Sequence, residues 1–124
     1  MGAVRLLIVD DEAALLNLLQ RYLTRLGYEV DLAANAEDAL ASFASNPERY
    51  ACVLTDLKLP GMGGEELLAR MRGLRPGLPA LICSGYPYHP RTAATGFLQK
   101  PYLPAMLAEE IERILKKPGR NAAP

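Results

Sequence analysis

The sequence predicts an α/β fold built on a doubly wound parallel sheet. Short apolar runs alternate along the chain with segments whose apolar residues recur at helical spacing, an order typical of a parallel sheet covered by helices on both faces. The first run, residues 4–9, and the third, residues 51–55, are almost continuously apolar, as in strands that are buried on both faces. Both observations favour a single domain with a parallel sheet that is covered on both faces.

The elements follow from these runs and from the residues that bound them. In order, we predict a strand at residues 4–9, a helix at 12–26, a strand at 28–33, a helix between Asn35 and Asn46, a strand at 51–55, a helix at 65–72, strands at 80–83 and 96–99, and a helix at 103–117. Leucines at helical spacing define the first helix, and Gly27 is expected to end it. Asn35, with Asp38 three residues later, is expected to cap the second helix, and Gly73 to close the third.

Five strands with these connections fit the flavodoxin-like strand order 2-1-3-4-5, which places strands 1, 3 and 4 at the centre. The 124 residues are enough for one domain, predicted over residues 1–117, and residues 118–124 are predicted to be a flexible tail or linker stub. No output domain is expected after Lys117, because only seven residues remain. The chain is then either a stand-alone protein or a domain of a longer one.

Composition and charge disfavour several classes of partner. Lys and Arg number 14, as do Asp and Glu, so the chain has no bulk attraction for nucleic acid or an anionic membrane. The apolar runs are only strand-sized, and the first leads directly to Asp10, which argues against a transmembrane helix and a signal peptide. Cys52 and Cys83 lie in apolar runs without metal-ligand spacing, so we expect reduced, buried thiols in a cytoplasmic protein.

Polar side chains follow four of the five predicted strands. They are Asp10 and Asp11 after the first strand, Asp56 after the third, Ser84 after the fourth and Lys100 after the fifth. Open parallel sheets bind ligands outside the carboxyl ends of their strands, so we expect these side chains to meet there. Clustered carboxylates require a divalent cation or shifted pKa values, and oxygen ligands without His or Cys favour Mg²⁺ or Mn²⁺. A carboxylate beside such a cation could act as a nucleophile and form an aspartyl phosphate.

Each of these residues also has a simpler interpretation. Either aspartate of the first pair could cap the following helix, Asp56 could be a turn residue, Ser84 could begin a loop and Lys100 could be solvated. Their joint occurrence at successive strand ends favours a site. His89, the only histidine, lies between prolines and is expected on a surface loop, so no hydrolase triad is supported.

With these residues in view, the chain resembles the CheY-like receiver domain of two-component response regulators over residues 4–117. The resemblance is carried by residues 6–12 (LLIVDDE), 53–62 (VLTDLKLPGM) and 97–102 (FLQKPY). Residues 82–86 (ICSGY) also resemble the fourth strand of receivers attached to hybrid histidine kinases. The resemblance implies phosphorelay signalling with a histidine kinase or phosphotransfer domain as partner, in trans or in the same polypeptide.

The resemblance also implies a role for each site residue. Asp56 would accept the phosphoryl group, and Lys100 would pair with that group. The Lys100–Pro101 peptide bond is expected to be cis. Asp11, Asp56 and the backbone carbonyl of Lys58 would ligate Mg²⁺, with Asp10 acting through water.

Two further positions would transmit the signal. Ser84 would move toward the phosphoryl group, and Phe97 would be the switch aromatic that fills the space it leaves. Lys58 and Tyr86 stand two residues past Asp56 and Ser84, where the family tunes the rate of dephosphorylation.

The segment after the fourth strand departs from the family pattern. Only ten residues, 85–94, separate Ser84 from Thr95, and Pro87 and Pro90 break a helix there, leaving residues 91–94 for at most one turn. We therefore predict a shortened or missing fourth helix and an exposed segment over residues 86–90. Because many family members dimerise through that face, we expect a monomer or an altered dimer.

Two other functions remain open from the sequence. A phosphate-independent protein-interaction module would keep the fold and account for the altered fourth helix. A phosphatase with an aspartyl-phosphate intermediate would want a second acid two residues past its nucleophile, where Lys58 stands. A flavin-binding protein is disfavoured, because the acidic strand ends would repel the cofactor's phosphate.

Overall fold

A parallel five-stranded sheet lies between two layers of helices in the computed structural model, which describes residues 4–90 and 94–116. The strands are β1 (Arg5–Val9), β2 (Glu29–Ala33), β3 (Cys52–Asp56), β4 (Ala80–Ser84) and β5 (Thr95–Gln99), and the helices are α1 (Ala13–Arg25), α2 (Ala36–Ser45), α3 (Gly64–Leu74) and α4 (Pro104–Leu115). The strand order is β2-β1-β3-β4-β5. The predicted fold class and strand order are confirmed.

The core consists of two apolar clusters, one on each face of the sheet. Leu7, Val9 and Val53 face α2 and α3, whereas Leu6 and Ile8 face α1 and α4. Successive side chains of a strand point to opposite faces, so a strand covered on both sides must be apolar at nearly every position. This requirement explains the continuous apolar runs of the central strands.

Two of the local signals read from the sequence have the expected geometry. Gly27 follows α1 with a positive φ of 100°, a backbone conformation that glycine adopts without steric penalty. The side chain of Asn35 accepts a hydrogen bond of 2.7 Å from the backbone N–H of Asp38 at the start of α2. Both helix boundaries are therefore set by residues close to them in sequence.

The prediction that Gly73 closes the third helix is wrong. Gly73 lies within α3, which continues to Leu74, and the backbone N–H of Arg75 still donates to the carbonyl of Met71. A glycine costs a helix only about 1 kcal/mol, and the buried Leu67, Leu68 and Met71 hold this one against the sheet. Packing outweighs the local preference.

The crossover from β4 to β5 contains no helix in its described residues, 85–90 and 94, so the shortened fourth helix is confirmed. The single turn considered at residues 91–94 falls largely outside the described residues. The expectation of a fully exposed segment needs correction at Tyr88, which is half-buried against the core, whereas His89 is exposed as predicted. The proposed tail, residues 118–124, lies outside the described part of the chain and stays a prediction.

The structure also bears on the expectations for the two cysteines and for membrane-spanning helices. Cys52 and Cys83 are both buried, and no disulfide joins them. Within residues 4–90 and 94–116, every helix is too short or too polar to cross a membrane.

Candidate functional site

The register of the sheet brings the predicted polar residues to one edge. Val9 pairs with Thr55, so Asp10 and Asp56, which follow them, emerge side by side. Ser84 is the last residue of β4 and pairs with Gln99, which Lys100 follows. All four strand ends therefore open on the same side, as the parallel fold requires.

Three carboxylates form the centre of this edge. Asp10, Asp11 and Asp56 each offer an oxygen within 4.8 Å of the others. Asp10 is only 4% exposed, Asp56 is half-buried and Asp11 is exposed. Solvent therefore reaches the cluster from the side of Asp11. An all-oxygen donor set with neither His nor Cys fits a hard divalent cation such as Mg²⁺.

Lys100 lies against two of these carboxylates. Its ammonium is 3.0 Å from Oδ2 of Asp10 and 3.3 Å from Oδ2 of Asp56. Burial by itself would lower the pKa of Lys100, but the hydrogen bond and charge of Asp10, followed by those of Asp56, raise the pKa above its ordinary value. Lys100 therefore carries a full charge at neutral pH and offsets part of the repulsion within the cluster.

A backbone hydrogen bond just after β5 holds Lys100 next to β4. The backbone N–H of Lys100 donates to the carbonyl of Ser84 over 2.7 Å, and the Lys100–Pro101 peptide bond is cis, as the resemblance implied. The lysine is thereby tied to the end of β4.

Lys100→Met is expected to strengthen Mg²⁺ binding by about five- to tenfold. The substitution removes a cation next to two candidate ligands while keeping an apolar chain of similar length, and one unit charge a few ångströms away at a half-exposed site is worth on the order of 1 kcal/mol. Calorimetric titration with Mg²⁺ measures the change. Lys116→Met, which removes a surface charge paired with Glu112, is the control and should bind as the wild type does. Equal affinities for both variants would place the bound cation away from Lys100.

Neither Asp10 nor Asp11 is the N-cap of α1, but Asp10 orders the turn that leads into this helix. Its Oδ1 accepts a hydrogen bond of 2.9 Å from the backbone N–H of Glu12, just before α1. Glu12 is the N-cap residue, and its own side chain makes no capping hydrogen bond. The two oxygens of Asp10 thus serve different purposes, Oδ1 ordering the turn into α1 and Oδ2 facing Lys100.

Ser84 and Phe97 are not members of the acidic cluster, which consists of Asp10, Asp11 and Asp56. Ser84 is 1% exposed, and its Oγ accepts a hydrogen bond of 3.0 Å from the backbone N–H of Tyr86. Phe97 is half-buried on the α2–α3 face, and its ring centroid is 6.0 Å from that of Tyr88. The lysine of the loop, Lys58, places its ammonium 4.8 Å from the ring centroid of Tyr86.

Two residues near the site were not identified from the sequence as parts of it. Cys83 is buried, which raises its pKa to about 12, so its thiol stays protonated at neutral pH and is no nucleophile. Burial, followed by the proximity of Cys83 and of the Asp10 carboxylate, also raises the pKa of Tyr102. Tyr102 is the last residue of the segment 97–102 (FLQKPY), but no local sequence pattern indicates that its side chain approaches Cys83.

Gly64 is a third residue that sequence reasoning missed. A Cβ built on it would overlap the backbone carbonyl oxygen of Asp56 and come within 3.2 Å of Leu57 Cα. Its backbone N–H donates to the carbonyl of Leu57 over 2.9 Å, which closes the loop after Asp56. The glycine pair at 63–64 was the only available signal, and it indicates a turn rather than a close approach.

Known proteins share both the sequence pattern and the fold of this chain. The family model for the response regulator receiver domain matches residues 6–120. The transcriptional regulatory protein FixJ of Rhizobium meliloti (strain 1021) is 34% identical over 112 residues, which cover 86% of this chain and 54% of FixJ. The chain therefore spans about half the length of that relative.

Solved structures extend the likeness to three dimensions. The receiver domain of the hybrid histidine kinase CckA superposes with a TM-score of 0.82 at 34% identity, covering 90% of this chain and 99% of that one. The response regulator TrrA of Thermotoga maritima, solved in complex with Mg²⁺–BeF, has a TM-score of 0.78 at 29% identity and covers 90% and 98%. With the match over residues 6–120, these likenesses show that the chain belongs to the receiver-domain family of two-component response regulators.

Proposed function

We propose that this chain is a Mg²⁺-dependent phosphoacceptor that takes a phosphoryl group from a phosphohistidine onto Asp56. The observation that carries the proposal is the half-buried Asp56 carboxylate between two further carboxylates and the ammonium of Lys100. The donor would be a histidine kinase or phosphotransfer domain, in trans or in the same polypeptide. The likeness to TrrA, which was solved with Mg²⁺–BeF, supports the same interpretation.

In the proposed reaction, an oxygen of Asp56 attacks the phosphorus of the phosphohistidine. The new O–P bond forms as the N–P bond breaks, and the leaving imidazole nitrogen takes up a proton. Lys100 meets the negative charge of the arriving phosphoryl oxygens, so most of the catalysis is positioning and electrostatics.

Mg²⁺, when bound, would offset the charge of the phosphoryl group and of the acidic cluster. Asp11 and Asp56 would hold it together with the backbone carbonyl of Lys58, and Asp10 would contribute through water. These assignments follow from the family resemblance and from the shared position of the three carboxylates.

Phosphorylation would then be transmitted through Ser84 and Phe97. The Ser84 hydroxyl would turn toward the phosphoryl group, and Phe97 would move into the space it leaves. Lys58 and Tyr86, whose side chains contact each other, would set the lifetime of the aspartyl phosphate.

Incubation with acetyl phosphate tests the proposal directly. We expect the intact mass to increase by one phosphate in the presence of Mg²⁺ and to stay unchanged with a chelator. Peptide mapping after borohydride trapping should locate the modification at Asp56. A chain that is folded by circular dichroism yet takes up no phosphate with Mg²⁺ would contradict the proposal.

The connection between β4 and β5, which contains no helix in its described residues, favours one other function, a protein-interaction module that works without phosphate. That module would show no phosphate uptake and would bind its partner equally well with Asp56 changed.

The phosphatase alternative is less favoured, because Lys58 occupies the position of its second acid. Sedimentation analysis measures the oligomeric state and so tests the proposed monomer or altered dimer. The cytoplasmic location stays a prediction.

A further inference from the structure

The described residues that follow β4 pack against the rest of the domain through Tyr88. Within residues 85–90, hereafter the β4–β5 connection, Tyr88 is half-buried, whereas its neighbours on either side are exposed. The Tyr88 hydroxyl donates a hydrogen bond of 2.8 Å to Oε2 of Glu65 in the first turn of α3. Its ring lies 6.0 Å from that of Phe97 at an angle of 47°.

The same connection begins at the candidate site. Its first contact is the hydrogen bond from the backbone N–H of Tyr86 to Oγ of Ser84. The Tyr86 ring in turn lies under the ammonium of Lys58, two residues after Asp56. The four residues from Gly85 to Tyr88 therefore link Ser84, at the phosphoacceptor end of the sheet, to the ring that lies beside Phe97.

We propose that the hydrogen bond between Tyr88 and Glu65 is a latch that holds the β4–β5 connection in its unphosphorylated position and opposes phosphorylation. This inference rests on the proposed function. It assigns a regulatory task to Tyr88 and Glu65.

The two switch residues act on the connection from opposite ends. When the Ser84 hydroxyl turns toward a phosphoryl oxygen, its hydrogen bond with Tyr86 must break or pull Tyr86 along. When Phe97 moves inward, Tyr88 loses the ring beside it. The hydrogen bond to Glu65 then opposes the release of Tyr88.

The latch is weak enough to open. The bond between Tyr88 and Glu65 is exposed to solvent, and such a bond shifts an equilibrium constant by about two- to fivefold. A contact made only in the unphosphorylated state lowers the affinity for a phosphoryl mimic by the same factor.

Tyr88→Phe tests the latch by removing the hydroxyl and keeping the ring. We expect it to raise the affinity for beryllofluoride with Mg²⁺ by about two- to fivefold, measured by calorimetry. Glu65→Ala should produce the same increase, and the double variant no further increase, because both changes break one bond. Glu66→Ala is the matched control, since Glu66 is the next residue of α3 and pairs with Arg70 instead.

Hydrogen exchange supplies a second readout. Amides of the β4–β5 connection should exchange faster when the wild-type chain binds beryllofluoride, and already faster in Tyr88→Phe without it. Unchanged affinity in both Tyr88→Phe and Glu65→Ala overturns the latch while leaving the phosphoacceptor proposal intact. A folded wild-type chain that binds no beryllofluoride overturns both. If Tyr88→Phe fails to fold, Glu65→Ala at the surface carries the same test.

Discussion

Asp56→Asn is expected to reduce phosphate uptake from acetyl phosphate by about a thousandfold or more, the order of loss seen when a catalytic nucleophile is removed. The amide has nearly the shape of the carboxylate and keeps one oxygen within reach of Lys100, but it lacks the anionic oxygen that attacks phosphorus. Asp10 retains its own contact with Lys100, so the edge of the sheet stays ordered. Intact mass spectrometry over a time course with Mg²⁺ measures the effect.

Asp38→Asn is a suitable control for this variant. Asp38 is exposed in the first turn of α2, and its side chain contacts only Asn35 among the hydrogen bonds of the described residues, so an amide there preserves the local structure. This control should take up phosphate at the wild-type rate. Uptake by Asp56→Asn at that same rate would mean that another group is the acceptor, and the proposed reaction would be abandoned.

Gly64→Ala is expected to destabilise the domain by about 3 kcal/mol and to slow phosphate uptake at least about tenfold. The new Cβ would overlap the carbonyl oxygen of Asp56, which is backbone and has no alternative rotamer. The start of α3 must therefore move away from the end of β3. That movement breaks the bond between Gly64 and Leu57 that closes the loop after the acceptor.

The preceding glycine offers a closely matched control. A Cβ on Gly63 would meet only the carbonyl oxygen of Leu57, at an ordinary distance of 3.5 Å, and the backbone φ there is −77°, which any residue adopts. Gly63→Ala should therefore cost about 1 kcal/mol or less. Urea unfolding followed by circular dichroism compares the two, since the chain has no tryptophan. Coincident unfolding curves would show that the close approach at Gly64 is not needed.

Much of the fold and the centre of the site could be predicted because their signals are local. Apolar runs identify strands buried on both faces, and residues next to helix ends, such as Gly27 and Asn35, set those ends within a few positions. A parallel sheet then brings every strand's carboxyl end to one edge, so Asp10, Asp56 and Lys100 meet without any further information.

The tertiary structure alone decided the features that depend on how distant segments pack. Gly73 stays helical because its helix is held against the sheet, and Gly64 is required because a strand end passes beside it. Tyr88 turns inward because Glu65 and Phe97, 23 and 9 residues away (88 − 65 and 97 − 88), both lie beside it in space. No periodicity within one element encodes such contacts, since they arise only when the connections have crossed the sheet and the side chains of different elements compete for the same space.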